Sequence, residues 1–309
     1  RALALLWLLA RASLALAGHL PFGLLLAGAL AYFVALSGVL GHHILAARTR
    51  RKAGLGLTGL ALAAGDALFL ANWFGSPGWA DAPLVATLAF AFLISLIGGR
   101  AVPAFTQSWL EQTDAPALAR DSRTLSLLAL GGLISGALLA LGDARGAAGL
   151  CLVGAGALQF AQMAGWHSLR ARRSPALLML HLAWLWLPLG LMLAGLALAR
   201  PDLIALPAAL HALTMGAMGT MVLAIMGRAA MARRRGTLIA GHGLTIAFAL
   251  VWLAALLRVL APFAPPEGPD PIRAAALLWM SGWALFLWAF RPALRGPVPR
   301  PVLGAPRAR

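Results

Sequence analysis

The chain has 309 residues, of which 61% are hydrophobic and 11% charged, and its formal net charge is +16. Soluble domains are about 45–50% apolar and about 25% charged, so no soluble fold of this length hides so much apolar surface. The balance of 25 Lys and Arg against 9 Asp and Glu could suit nucleic acid, but these basic residues lie mainly between long apolar runs, as membrane topology requires.

A membrane-crossing helix needs ~20 largely apolar residues. Ten such runs follow in order: 2–18, 21–45, 54–71, 83–102, 124–141, 147–166, 175–198, 206–228, 237–260 and 272–290. The expected fold is an all-α polytopic transmembrane helix bundle over residues 1–291. A Pro/Arg-rich cytoplasmic tail over 292–309 is expected to be disordered. The longest loop is expected from about Pro103 to Arg123, and no soluble domain fits between the spans. Several runs carry small residues that let helix backbones approach closely, among them Gly131, Gly132 and Gly136, and Ala212, Gly216 and Gly219. The first residue is Arg and a span follows directly, so the chain reads as a fragment or processed form without a signal peptide.

Basic residues alternate by loop. One set carries Arg48, Arg50, Arg51 and Lys52, then Arg120 and Arg123, then Arg170, Arg172 and Arg173, then Arg233, Arg234 and Arg235. The tail adds Arg291, Arg295, Arg300, Arg307 and Arg309. The opposite loops hold little: Asp81, Asp143 with Arg145, Arg200 with Asp202, and Glu267 with Asp270. By the positive-inside rule the first set is cytoplasmic, and so is the C-terminus.

Cys151 is the only cysteine, which excludes a disulfide framework, a CxxC zinc site and a four-cysteine iron–sulfur cluster. Its place in an apolar run reads as a small buried residue. The seven histidines are His19, His42, His43, His167, His181, His211 and His242. Polar groups at membrane depth are costly and often functional, and neutral imidazole is a common ligand of haem iron and copper. His211 lies about five residues into the eighth span from the outer side, and His181 about six into the seventh from the inner side. They are therefore expected ~20 Å apart along the membrane normal, each in its own site. His242 is expected about as deep as His181. His42, His43 and His167 read as interfacial, and His19 lies at the outer end of the first span.

Met215 and Met218 follow His211 at i+4 and i+7, on one face of an α-helix. A His/Met face suits haem or soft Cu(I), and the competing reading is packing. Arg11 falls midway along the first span, where an unpaired charge is expensive. Asp66, the only acidic residue deep in a span, is the one candidate partner in view. Arg100 and Arg228 close the fourth and eighth spans on the inner side. They are either snorkelling anchors or clamps for haem propionates. No GxxxxGK[ST], HExxH or GxSxG occurs.

Three stretches in order resemble the NnrS family, membrane proteins containing haem and copper and linked to nitric oxide stress. They are Leu96-Ile-Gly-Gly-Arg-Ala-Val-Pro-Ala-Phe-Thr106, His181-Leu-Ala-Trp-Leu-Trp-Leu-Pro-Leu-Gly190, and the most specific, His211-Ala-Leu-Thr-Met-Gly-Ala-Met-Gly-Thr-Met-Val-Leu-Ala-Ile-Met-Gly-Arg228. The resemblance runs from about residue 1 to about 290 and implies a twelve-helix haem protein. Its motif positions here are Arg100, Pro103, Thr106, His181, His211 and Arg228. It also implies two further helices upstream of Arg1, with a His-Ala-His-Glu-Met-type motif, where a partner for Arg11 would be sought. The family's Gly-His-Thr-Gly-Arg after the last Arg is not kept: Arg233 stands in place of its His.

The function this implies is haem binding, with copper as a second metal, in the response to nitric oxide or nitrosative stress. Its partners would be the lipid bilayer, nitric oxide and an electron donor, with no nucleic acid. The cofactor residues expected are His211, His181, Arg100 and Arg228, with His211, His181 and Met215 as metal donors. If the chain is an enzyme, it is a metal-dependent oxidoreductase acting on a small diatomic molecule. Besides a non-catalytic assembly or sensing partner, two alternatives stay open. One is a transporter whose path is lined by helices broken at Gly and Pro, such as Leu187-Pro188-Leu189-Gly190. The other is a haem–copper oxidase-like enzyme, although the adjacent His42 and His43 project to different helix faces.

Overall fold

The computed structural model describes residues 2–46, 53–74, 81–113, 122–234, 237–265 and 267–295. Arg48, Arg50, Arg51, Lys52, Arg120, Arg235, Arg300, Arg307 and Arg309, used above for topology, lie outside them. So does most of the expected tail.

Ten helices account for most of the described chain: α1 Ala2–Ala15, α2 Phe22–Ala46, α3 Ala53–Phe74, α4 Ala82–Gln112, α5 Arg123–Leu141, α6 Arg145–Ala164, α7 Pro175–Ala199, α8 Leu206–Ala230, α9 His242–Leu260 and α10 Pro271–Arg295. Apolar segments at membrane depth must satisfy every backbone N–H and C=O internally, and a helix does this within one segment. Eight of them are long and apolar enough to cross a membrane, while Ala2–Ala15 and Gly59–Phe74 are shorter apolar helices. Large apolar side chains face outward, such as Leu138, Leu150 and Trp288. In water such a surface would drive aggregation; in a bilayer it meets lipid.

Local chemistry sets the helix starts. Ser122 Oγ accepts the Leu125 N–H, and Asp270 Oδ1 accepts the N–H groups of Ile272 and Arg273. Pro175 opens α7, where its missing N–H costs nothing. Between α7 and α8, Arg200 and Asp202 form an exposed ion pair at 2.8 Å, which holds the Asp202 carboxyl below its ordinary range.

The chain divides into two compact units, one of Arg1–Leu93 with Ala137–Ala144, the other of Ile94–Gly136 with Arg145–Arg309. The divisions fall inside α4 and α5. In the first unit, small residues bring helices together: Gly28 of α2 takes the Ser13 hydroxyl of α1, and Gly65 of α3 lies against Ala86 of α4. Arg11 is exposed on α1, and its charge acts on Asp66 of α3. Asp66 Oδ2 is buried with no hydrogen-bond partner. Asp66 is thus the acidic group on which Arg11 acts among the described residues, without a direct ion pair between them. Removing either charge leaves the other uncompensated at membrane depth, at roughly 2.5–3.5 kcal/mol. Arg11→Leu and Asp66→Leu should each lower stability in detergent, and the double variant should lose less than their sum. Additive losses would show that the two charges do not act on each other.

The second unit is built on α7, the most buried of the long helices. Gly149 of α6 and Gly195 of α7 meet backbone to backbone, and a Cβ on Gly149 would lie 2.5 Å from the Gly195 carbonyl oxygen. Gly132 and Gly136 of α5 face α6, whereas Gly131 is open. On α8, Gly216 and Gly219 receive the rings of Trp186 and Trp279. Cys151 is half-buried rather than buried.

The structure departs from the hydropathy reading at three places. Helix α4 continues through Pro103 to Gln112, so the long loop shrinks and Arg100 sits inside a helix. Hydropathy marks where lipid ends, whereas the helix ends where backbone bonding ends. The second departure is at residues 237–239, where the ninth span was expected to begin. They instead form a strand pairing with Ala232–Arg234, Arg233 opposite Leu238. His242 is therefore the first residue of α9 and exposed, not as deep as His181. Third, α7 runs unbroken through Pro188, which removes the broken helix that the transporter reading relied on.

Candidate functional site

The histidines fall in unlike surroundings. His19 ends a short 3-10 turn, and His42 and His43 lie near the end of α2; all three are exposed. The rings of His42 and His43 are 5.8 Å apart at 66°, edge to face rather than converging. His167 has φ 54°, in the left-handed region. It follows α6 and reverses the chain so that Trp166 is buried and Ser168 faces α7. A β-branched side chain is strained there, at about 1–2 kcal/mol, whereas glycine is not. His167→Gly should fold as well as the parent and His167→Val should melt earlier. Equal losses in both would assign the effect to the imidazole.

His181 is 1% exposed on α7. Its Nε2 lies 2.9 Å from Thr106 Oγ1 of α4, and its Nδ1 lies 2.9 Å from Ser168 Oγ. The Thr106 hydroxyl proton is committed to the Val102 carbonyl at 2.7 Å. Thr106 can therefore only accept from His181, which places a proton on Nε2. The Ser168 hydroxyl is nearer to Nδ1 than to its other acceptor, the Met163 carbonyl at 3.4 Å, so it donates to the ring. Both ring nitrogens are engaged, and neither offers a lone pair.

Aromatic rings enclose this point. Trp166 packs edge-on to His181 at 6.3 Å and to Trp184 at 4.8 Å. Trp184 rests on Gly98 and Gly99 of α4, where a Cβ would lie 3.0 Å and 3.3 Å from the ring. The Arg228 guanidinium lies over Phe105 at 3.8 Å, next to Thr106 in sequence. Buried amides complete the seam: Gln159 donates to Ser95 at 3.1 Å and Gln162 to Ser126 at 2.7 Å. Neither glutamine was singled out from sequence. The signal was available, since an amide inside an apolar run is costly unless bonded.

His211 is half-buried on α8. Its Nδ1 lies 2.6 Å from the Pro207 carbonyl, which can only accept, so Nδ1 carries the proton and Nε2 keeps its lone pair. Directly after it, residues Ala212–Gly219 form a π-helical segment. Such wide turns are uncommon and concentrate at functional sites. Close packing accompanies it here. A Cβ on Gly216 would lie 2.6 Å from Trp186 Cδ2, and one on Gly190 would lie 2.6 Å from Leu213 Cδ2. The hydroxyls of Thr214 and Thr220 bond back to the carbonyls of Leu210 and Gly216, which helps to satisfy a ladder out of α-helical register. At π-helical spacing Met215, at i+4, stays closer to the direction of His211 than Met218, at i+7, which differs from the α-helical expectation.

The contacts of Trp186 with Gly216 and of Gly190 with Leu213 fix an antiparallel register between α7 and α8. In that register His181 and His211 are separated by about 15 Å along the helices. They do not share a metal. Arg228 is farther still, about 25 Å along α8 from His211. The expected residues therefore form two groups. His181, Thr106 and Arg228 gather around the inner part of α4, and His211 with Met215 stands alone near the start of α8. Arg100, exposed on α4, follows the glycines that seat Trp184. Among the described residues, no group of three or more His, Cys, Asp or Glu is placed to hold a metal ion.

No curated protein and no solved structure matches the chain significantly. The family model described as NnrS protein matches residues 1–297. With its apolar helices and that match over nearly its whole length, this multi-pass membrane protein belongs to the NnrS family.

Proposed function

We propose that the chain binds haem through His211, in a bacterial inner membrane, and serves the response to nitric oxide or nitrosative stress. The observation that carries this reading is the fixed tautomer of His211. A ring held by Nδ1–H to a backbone carbonyl, with Nε2 bare, is how protein ligands to iron and copper are commonly oriented. Family membership supports the link to nitric oxide.

Haem requires one such nitrogen, so His211 fits it. Haem iron held there would supply binding and one-electron chemistry for a diatomic ligand. Pro207 orients the ring. Copper is the second metal these donors suit, because Met215 adds a thioether near the same face. Arg228 is too far from His211 to hold the propionates of that haem.

The test is purification after expression with haem supplied. A Soret band with stoichiometric iron is expected, shifted by nitric oxide added to the reduced protein. Protein with neither band nor iron would end the haem reading. A haem spectrum indifferent to nitric oxide would end the assignment of its ligand.

A further inference from the structure

The motif histidine that His211 leaves over, His181, stands where α4 crosses its proline. Pro103 has no N–H, so the Gly99 carbonyl loses its α-helical donor and α4 is weakened at that turn. Gly98 and Gly99, seated on Trp184, lie directly before it. A helix of this composition has cause to bend or fray at that point, yet α4 continues regularly to Gln112.

The part of α4 beyond the proline is held from three sides. Thr106 accepts the His181 Nε2–H from α7. His181 in turn accepts the Ser168 O–H from the turn after α6. One residue before Thr106, Phe105 carries the Arg228 guanidinium of α8. The Ser168–His181–Thr106 chain runs in one direction and ends on the Val102 carbonyl, which is already part of the α4 ladder. It is closed at that end, so it does not continue as a proton path.

We propose that His181 is a positioning residue, a neutral Nε2–H imidazole that pins α4 beyond Pro103 to α7 and to the α6–α7 turn, and that it is not a metal ligand. The inference goes beyond haem binding at His211 and holds whether or not that binding occurs.

Glutamine separates the two roles. Its amide can donate to Thr106 and accept from Ser168, but it is a poor ligand to haem iron. His181→Gln should keep a melting temperature near the parent and, in haem-loaded protein, an unchanged Soret band. His181→Ala should melt several degrees lower, and Thr106→Val should follow it. Nitrogen NMR of histidine-labelled, metal-free protein should show the His181 resonance as the Nε2–H tautomer. That resonance should not move when haem is added.

Loss of the Soret band in His181→Gln with unchanged melting would overturn the proposal. So would an imidazolium or Nδ1–H signal in the metal-free protein, or a melting temperature in His181→Ala equal to the parent's. The melting and metal-free NMR measurements need no haem. A chain that binds no haem would fail the reading of His211 while leaving this one to stand or fall on those two.

Discussion

His211→Ala should remove or displace the Soret band and lower haem occupancy by at least about tenfold. Loss of a partner that merely orients a metal ligand commonly costs 10–100-fold in affinity, and loss of the ligand itself is at least as severe. The expectation rests on one bond. Because the Pro207 carbonyl takes the Nδ1 proton, the lone pair of the neutral ring is left on Nε2 and the ring is held in one orientation. The measurement is the absorption spectrum with iron per protein, beside His42→Ala and His43→Ala, whose exposed rings should leave both unchanged. A His211→Ala protein with the parent's spectrum and iron content would clear His211 of any ligand role.

Gly149→Leu should destabilise the second unit far more than Gly154→Leu, although the two lie on one helix. A Cβ at Gly149 meets the Gly195 carbonyl oxygen at 2.5 Å, and backbone cannot move aside as a flexible side chain can. At Gly154 there is nothing within 4 Å. Overpacking of a close contact costs typically about 1–3 kcal/mol, and a clash with backbone belongs at or above the upper end. The driving force also differs from that in water. Lipid is as apolar as leucine, so helices in a bilayer associate through close packing, and there is no hydrophobic gain to offset a lost fit. Thermal unfolding in detergent measures both variants. Equal melting temperatures would mean that α6 and α7 are not packed at this register.

Most helices were legible because hydropathy follows the length of chain that lipid can accept. The ends of α4 and the start of α9 were not. At α4, polar residues such as Gln107 and Glu111 end the apolar run while the helix goes on, with Gln107 donating to Glu111 one turn away at 2.7 Å. At α9, residues 237–239 are apolar enough to read as membrane, but their backbone bonds went to a neighbouring strand.

The candidate site was legible as residue types and only partly as roles. His211 and His181 were both visible as histidines at membrane depth. The separation of their sites followed from counting residues at a fixed rise. What differs between them is the partner of each ring nitrogen. For His211 that partner is four residues back on its own helix. For His181 the partners are on α4, 75 residues away, and in the α6–α7 turn, 13 residues away. No local pattern encodes a bond across 75 residues. The π segment was hidden for a similar reason, since Gly216 takes its meaning from a tryptophan on another helix.

The sequence by itself determined that this chain is a polytopic helical membrane protein of the NnrS kind. Apolar run length, loop charge and motif order are local quantities, and the bilayer reads them locally. Tertiary structure decided which side chains have something left to offer. It fixed His181 between two hydroxyls, left the Nε2 of His211 clear of its Pro207 bond and brought the charge of Arg11 to bear on Asp66. Those outcomes depend on which helices meet and at what register. That is set by glycine-against-tryptophan and backbone-against-backbone contacts between residues remote in the chain.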